Sequence, residues 1–192
     1  MLSEIGEKAK NSITGVISGS ADIVASVRDN TKQLVVDTIK SAGEVTSSSV
    51  KTTAEIVSGA VAGVVQSGKS VTEGSAEIVG SSIEAVSEVG GDVETAVTEV
   101  ASGAIKGAAE VGGDLGEVGV STVRGTIDAA GKIGADSGNL ATKSVMGVID
   151  AADQVGSEAG SLVRKALLNS AALPRQIIEA AISGKPEPEK EK

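Results

Sequence analysis

Counted from Ile23 in steps of eleven, the chain returns fifteen times to the same kind of residue: Ile23, Leu34, Val45, Ile56, Ser67, Ile78, Val89, Val100, Val111, Thr122, Ile133, Ser144, Val155, Ala166 and Ile177. Eleven of the fifteen are Val, Ile or Leu and none is charged, whereas the residue just before each, from Asp22 and Gln33 to Lys165 and Gln176, is polar every time. A register held that long without a slip marks a repeat architecture. Eleven residues make three helical turns at ~3.67 residues per turn, so each residue advances ~98°. On that count the columns holding Val16 and Val27, Val64 and Val86, Val57, and Ile83 widen the Ile23 column into a broad apolar stripe, while Asp and Glu gather opposite. The steps Val89, Val93, Val97, Val100 run 4, 4 and 3, which suits a helix and excludes a strand of period two. The expected fold is therefore all-α: a long amphipathic helix, or several, with a tendency to bundle or to coil right-handedly. Its expected packing stripe is Ile23, Leu34, Val45, Ile56, Ile78, Val89, Val100, Val111, Ile133 and Val155.

Such a stripe is thin. The chain has no Phe, Trp or Tyr, the residues that bury most area in ordinary cores. Val, Thr, Ser and the 25 glycines are poor helix formers, each Gly costing up to ~1 kcal/mol against Ala. The helix is thus expected to be weak alone and to need cover for its apolar face, with partial disorder in dilute solution as the consequence.

A second period lies over the first. One residue beyond Ile56 the column reads Val57, Gly68, Val79, Gly90, Ala101, Gly112, Val123, Gly134, Val145, Gly156, Leu167, so glycine alternates with larger residues and the period becomes 22. A neighbouring column alternates in step, with Ile39, Val61, Ile83, Ile105, Ile127 and Ile149 at one phase and Thr72, Glu94, Gly116, Gly138 and Gly160 at the other. A uniform oil surface gains nothing from alternating holes and knobs, but a second helix does. Gly68, Gly90, Gly112, Gly134 and Gly156 are therefore expected at points of close helix–helix approach. Pairs four apart, such as Gly59–Gly63 and Gly103–Gly107, also permit close contact.

Two architectures fit. Residues 1–173 form the repeat region, either as one very long helix or as helices of about 20 residues. In the second case Gly90-Gly91-Asp92 and Gly112-Gly113-Asp114 are turns, with Gly ending one helix and Asp capping the next. The unbroken register favours the long helix, because turns usually shift the phase. The Gly-Gly-Asp recurrence favours the turns. Asp29-Asn30 and Thr46–Ser49 are further weak points. Asn169-Ser170 followed by Pro174 is expected to stop the helix, with a short helix in 174–183 and a charged, disordered tail in 184–192.

Chemistry finds few footholds. Without Cys or His the chain lacks disulfides, zinc sites of the usual kinds and histidine acid–base catalysis. No catalytic, cofactor-binding or metal-binding residue is assigned, and neither a cofactor nor a small-molecule substrate is expected. The net charge of −9 sits in one stretch: residues 73–117 carry ten acidic side chains and one basic, Lys106. Such a segment repels nucleic acid and anionic lipid. The acidic start has no apolar run of a secretory leader and no stretch is long enough to span a bilayer, so the location expected is cytoplasmic, either free or peripheral to a membrane or lipid surface. Gly63-Val64-Val65-Gln66-Ser67-Gly68-Lys69-Ser70 matches the phosphate-binding pattern G-x-x-x-x-G-K-[ST], but the helical repeat reads straight through it, where a true site needs a strand before and a helix after.

The run Ala54-Glu55-Ile56-Val57-Ser58-Gly59-Ala60-Val61-Ala62-Gly63-Val64-Val65, then Lys69-Ser70-Val71-Thr72-Glu73-Gly74, resembles the 11-residue repeats of synucleins. More loosely it is similar to those of perilipins, exchangeable apolipoproteins and group 3 late-embryogenesis-abundant proteins. The resemblance implies lipid-surface binding or desiccation protection. The acidic centre, the missing interfacial aromatics and the lack of lysines along both stripe edges depart from that pattern and argue against anionic membranes. Three roles follow as expectations. The first is a structural homo-oligomer that packs its stripe against other helices in a bundle or filament. The second is a reversible coat on neutral lipid or another apolar surface, and the third a stress protectant.

Overall fold

In a computed structural model the described residues, 1–19, 22–43 and 46–183, form nine helices and no strand. They are α1 (Glu4–Gly19), α2 (Ile23–Ala42), α3 (Ser47–Ser67), α4 (Val71–Glu88), α5 (Val93–Glu110), α6 (Leu115–Ile133), α7 (Ser137–Val155), α8 (Ser157–Asn169) and α9 (Arg175–Ser183). Val45 and the charged tail at 184–192 lie outside the described residues. The all-α expectation holds, but the single long helix gives way to turns. The reason is arithmetic. Helices α4 to α7 start at 71, 93, 115 and 137, so a helix and its turn together take 22 residues, two full repeats, and the turn leaves the register intact. Asp29-Asn30 is no break, since α2 runs through it.

The turns are built by residues of the 22-residue period. Gly90 sits at φ 75°, its N–H donates to Ser87 O at 3.0 Å, and the next N–H, of Gly91, reaches back to Val86 O at 2.9 Å. That pair of bonds satisfies carbonyls the helix end would leave orphaned. Asp92 then opens α5, its Oδ1 accepting from the N–H groups of Glu94 and Thr95 at 3.1 and 3.3 Å. Asp114 and Asp136 cap α6 and α7 in the same way. Thr46 and Ser49 cap α3 reciprocally.

Each helix packs against the next and the next-but-one in the chain and, among the described residues, against none further on. Odd-numbered helices therefore form one layer and even-numbered helices another, the pattern of stacked helical repeats. Ile13, Ile56, Ile78, Ile83, Ile105, Leu167 and Ile178 are the largest side chains fully covered in the core. With no aromatic ring to fill space, the layers gain their contact by coming close.

Candidate functional site

The closest approaches are made by helical glycines. A Cβ built on Gly59, Gly103, Gly107 or Gly125 would fall within 3.0 Å of the backbone carbonyl oxygen of Gly6, Ala54, Ser58 or Ala76 respectively, and one on Gly147 would lie 2.7 Å from Thr98 O. Each contact joins helices two apart: α3 to α1, α5 to α3, α6 to α4 and α7 to α5. The pairs Gly59–Gly63 and Gly103–Gly107 belong to this seam, Gly63 standing 3.0 Å from Lys10 O on the same measure.

The glycines singled out for close approach lie elsewhere. Gly68, Gly90, Gly112 and Gly134 all have positive φ, between 65° and 75°, and a Cβ on any of them meets nothing within 4 Å. They end helices and press against no neighbour, because at the end of α3, α4, α5 and α6 the chain must turn left-handed. Gly156, at φ 163°, is extended and equally uncrowded. The seam itself had a signal of its own: Gly59, Ser81, Gly103, Gly125 and Gly147 recur every 22 residues, and all five are buried.

The stripe residues divide by position in the helix. Ile56, Ile78 and Val100 lie mid-helix and are buried. Leu34, also mid-helix, is half-buried, as are Ile23, Val89, Val111 and Ile133 near helix ends, and Val155 is 49% exposed. Residues of the synuclein-like run, Val57, Ala60, Val61 and Val64 among them, are covered by this chain's own helices. The phosphate-loop match spans the end of α3 and the turn into α4, with Lys69 and Ser70 both exposed and helix where a strand would be needed.

Packing also redistributes charge. Glu84 pairs with Lys132 at 2.9 Å, Glu94 with Lys143 at 3.2 Å and Glu88 with Lys32 at 3.0 Å, each between helices two apart. The Glu84 hydrogen bond raises the Lys132 pKa above its ordinary value. Arg164 of α8 grips Asp153 of α7 with both terminal nitrogens, which holds the Asp153 carboxyl below its usual range. At the α5 cap the Thr95 hydroxyl, 2.6 Å from Asp92 Oδ2, likewise lowers the Asp92 pKa. Among the described residues no group of three or more acidic side chains could hold a metal ion, and no helix is long and apolar enough to cross a membrane.

Two hollows stand out. One, of about 460 Å³, lies between α3, α5 and the residues preceding α1 and mixes charges: Lys51 and Lys106 against Glu55, Glu99 and Glu110. The other, about 640 Å³ and open, lies where the α5–α6 turn meets the α7–α8 corner. Leu115, Val155, Ala159 and Leu162 give it apolar walls, and its charged lining residues are Asp114 and Glu158. This corner departs from the repeat. Between α7 and α8 the Gly-Gly-Asp turn is replaced by Gly156 alone, and α8 lacks a side-chain cap.

No protein-family model matches the chain, and no curated protein does. Among solved structures, the crystal structure of a de novo designed helical repeat protein is similar at 18% identity, covering 93% of this chain and 89% of that one with a TM-score of 0.49.

Proposed function

We propose that this chain is a non-enzymatic structural scaffold, a two-layered stack of helices that covers its own apolar stripe and presents polar faces and turn corners to its surroundings. The observation that carries this reading is the burial of Ile56, Ile78 and Val100 under the chain's own neighbouring helices. An amphipathic coat would need those residues turned outward, so the stack would first have to open, at about 1.5–3 kcal/mol for each Val or Ile exposed before lipid covered it. Obligate self-association loses its main ground too, since the cover a feeble helix requires comes from within the same chain.

Sedimentation equilibrium and circular dichroism over a hundredfold concentration range, with and without neutral liposomes, test the reading. The expected result is a monomer whose helicity ignores dilution and which stays in the supernatant. Helicity lost on dilution would restore self-association as the role. Helix gained on liposomes, with the protein pelleting alongside them, would restore the lipid coat.

A further inference from the structure

Of the exposed large hydrophobic residues in the described chain, two line a single groove: Val155 at 49% and Leu162 at 50% exposure. Both sit at the corner where the regular turn between helices is lost. In the regular turns Val-Gly-Gly-Asp or Ile-Gly-Ala-Asp brings the next helix down in register, and the stripe residues at those positions, Val89, Val111 and Ile133, are half-buried. After α7 the same positions read Gly156-Ser157-Glu158, but Ser157 already begins α8, so Gly156 alone separates the two helices and Val155 is left in the open. Gly116 lies on the other side: a Cβ there would stand 3.0 Å from Leu162 Cδ2 and 2.9 Å from Ala166 Cβ, so its lack of a side chain lets α8 settle against α6 while the outer half of Leu162 stays uncovered.

The charge around this apolar floor has one sign. Asp114 and Glu158 are its ionisable lining residues, and both backbone bonds to Asp114 run to Oδ1. The carbonyl ends of α5 and α7 and the amide ends of α6 and α8 open at the same place and offset one another, so the sign of the charge rests with the two carboxylates. A second copy offering this same patch would set acid against acid, and a purely apolar surface would leave both carboxylates desolvated without partners.

We propose that this groove docks a peptide segment of another protein that carries an apolar face flanked by lysine or arginine, the apolar side chains covering Val155 and Leu162 and the cations meeting Asp114 and Glu158. The proposal builds on the scaffold reading, which sedimentation tests separately. A stable helical monomer that bound no such peptide would sink the docking site and leave the scaffold standing.

The probe is a dye-labelled amphipathic peptide of leucine and lysine, about fourteen residues long, with a leucine–glutamate peptide of the same pattern as its counterpart, read by fluorescence anisotropy. The leucine–lysine peptide is expected to bind the full chain and the leucine–glutamate peptide to fail. The neutral double variant Val155→Asn, Leu162→Gln should weaken binding about tenfold or more, as loss of a central apolar anchor does. Glu158→Gln should weaken it severalfold, less so at high salt. Because both altered residues of the double variant are half-exposed, its melting curve should match the parent's, which separates lost binding from lost fold. Equal binding to parent and double variant would reduce the effect to bulk attraction by an acidic chain and overturn the site. Equal binding of both peptides would overturn the charge match, and no binding of either would overturn the proposal outright. A dimer of the parent chain that the double variant dissolves would assign the groove to a second copy instead.

Discussion

Gly107→Ala tests the seam that brings the layers together. The new methyl would meet the Ser58 carbonyl oxygen inside the separation that real Cβ contacts show, and ordinary contact begins only near 3.4 Å, so α5 must retreat from α3 by about an ångström or more. The obstructing atom is backbone and cannot rotate aside. Overpacking of this kind costs about 1–3 kcal/mol. Against it stands the ~1 kcal/mol by which Ala outranks Gly inside a helix. The clash should win, leaving a net loss of about 1–2 kcal/mol, read as a lower midpoint in urea unfolding at unchanged m-value. Gly103 lies one turn earlier on the same face, over Ala54 O. Once α5 has moved for one methyl the second costs little, so Gly103→Ala with Gly107→Ala should cost clearly less than the sum of the two. Gly112→Ala is the contrast. It meets open space but must hold φ near 69°, which costs about 1–2 kcal/mol, and Gly112→Asn should recover part of that. A stabilised Gly107→Ala, or seam costs that simply add, would refute the reasoning, since helix propensity rather than close approach would then govern the site.

Two further measurements bear on particular side chains. Asp92→Ala should cost about 1 kcal/mol at neutral pH as a lost helix cap. The Thr95 hydroxyl holds the folded Asp92 pKa below its unfolded value, so the stabilisation is present above the ordinary carboxyl range and is lost as pH falls through the folded value; the variant's deficit should shrink in acid unfolding curves below about pH 4, and a pH-independent deficit would contradict this. Thr122 is buried with no hydrogen-bond partner for its hydroxyl, as are Thr31 and Ser75. Thr122→Val should therefore be neutral or stabilising by about 1–2 kcal/mol in thermal unfolding, and a loss of that size would mean that the hydroxyl has a partner such as a buried water.

The helices were legible in the chain and their ends were only half so. An 11-residue column sampled on a 22-residue unit visits two kinds of site in turn. Ile56, Ile78 and Val100 fall at the middle of a helix, where both layers cover them, whereas Val89, Val111 and Ile133 fall where a helix stops. Periodicity cannot separate the two, because both lie at the same angle around the axis. The glycines carried the same ambiguity. Gly112 and Gly107 are equally small, and what tells them apart is context: Gly112 is followed by Gly113 and the capping Asp114, while Gly107 has a glycine four residues before it and helix formers after it. A turn that fills out a whole number of repeats leaves no phase shift to betray it, which is why the unbroken register pointed to a rod. The groove at Val155 could not be read this way either. Its sequence mark is Ser157-Glu158 standing where the other turns have Gly-Asp or Ala-Asp, and that exchange becomes meaningful only once the turns have been recognised as the rule.

Charge shows what the layering does to an argument made along the chain. By sequence, residues 73–117 are an acidic block set between balanced flanks. In the fold each helix meets the one two places away, so the neighbours that matter to Glu84 and Glu94 lie 48 and 49 residues downstream, in Lys132 and Lys143, and the neighbour of Glu88 lies upstream in Lys32. All three pairs are partly exposed, and each is worth only about 0.2–1 kcal/mol. Their larger effect concerns order within a layer: setting α4 and α5 side by side in one layer would bring Glu84 or Glu94 against a helix from the acidic block itself, where like charges repel. Lysines held in the flanks and carboxylates in the centre thus favour one order of stacking in a chain whose apolar seams, built repeatedly from Val, Ile, Ala and Gly, are too alike to choose between orders on their own.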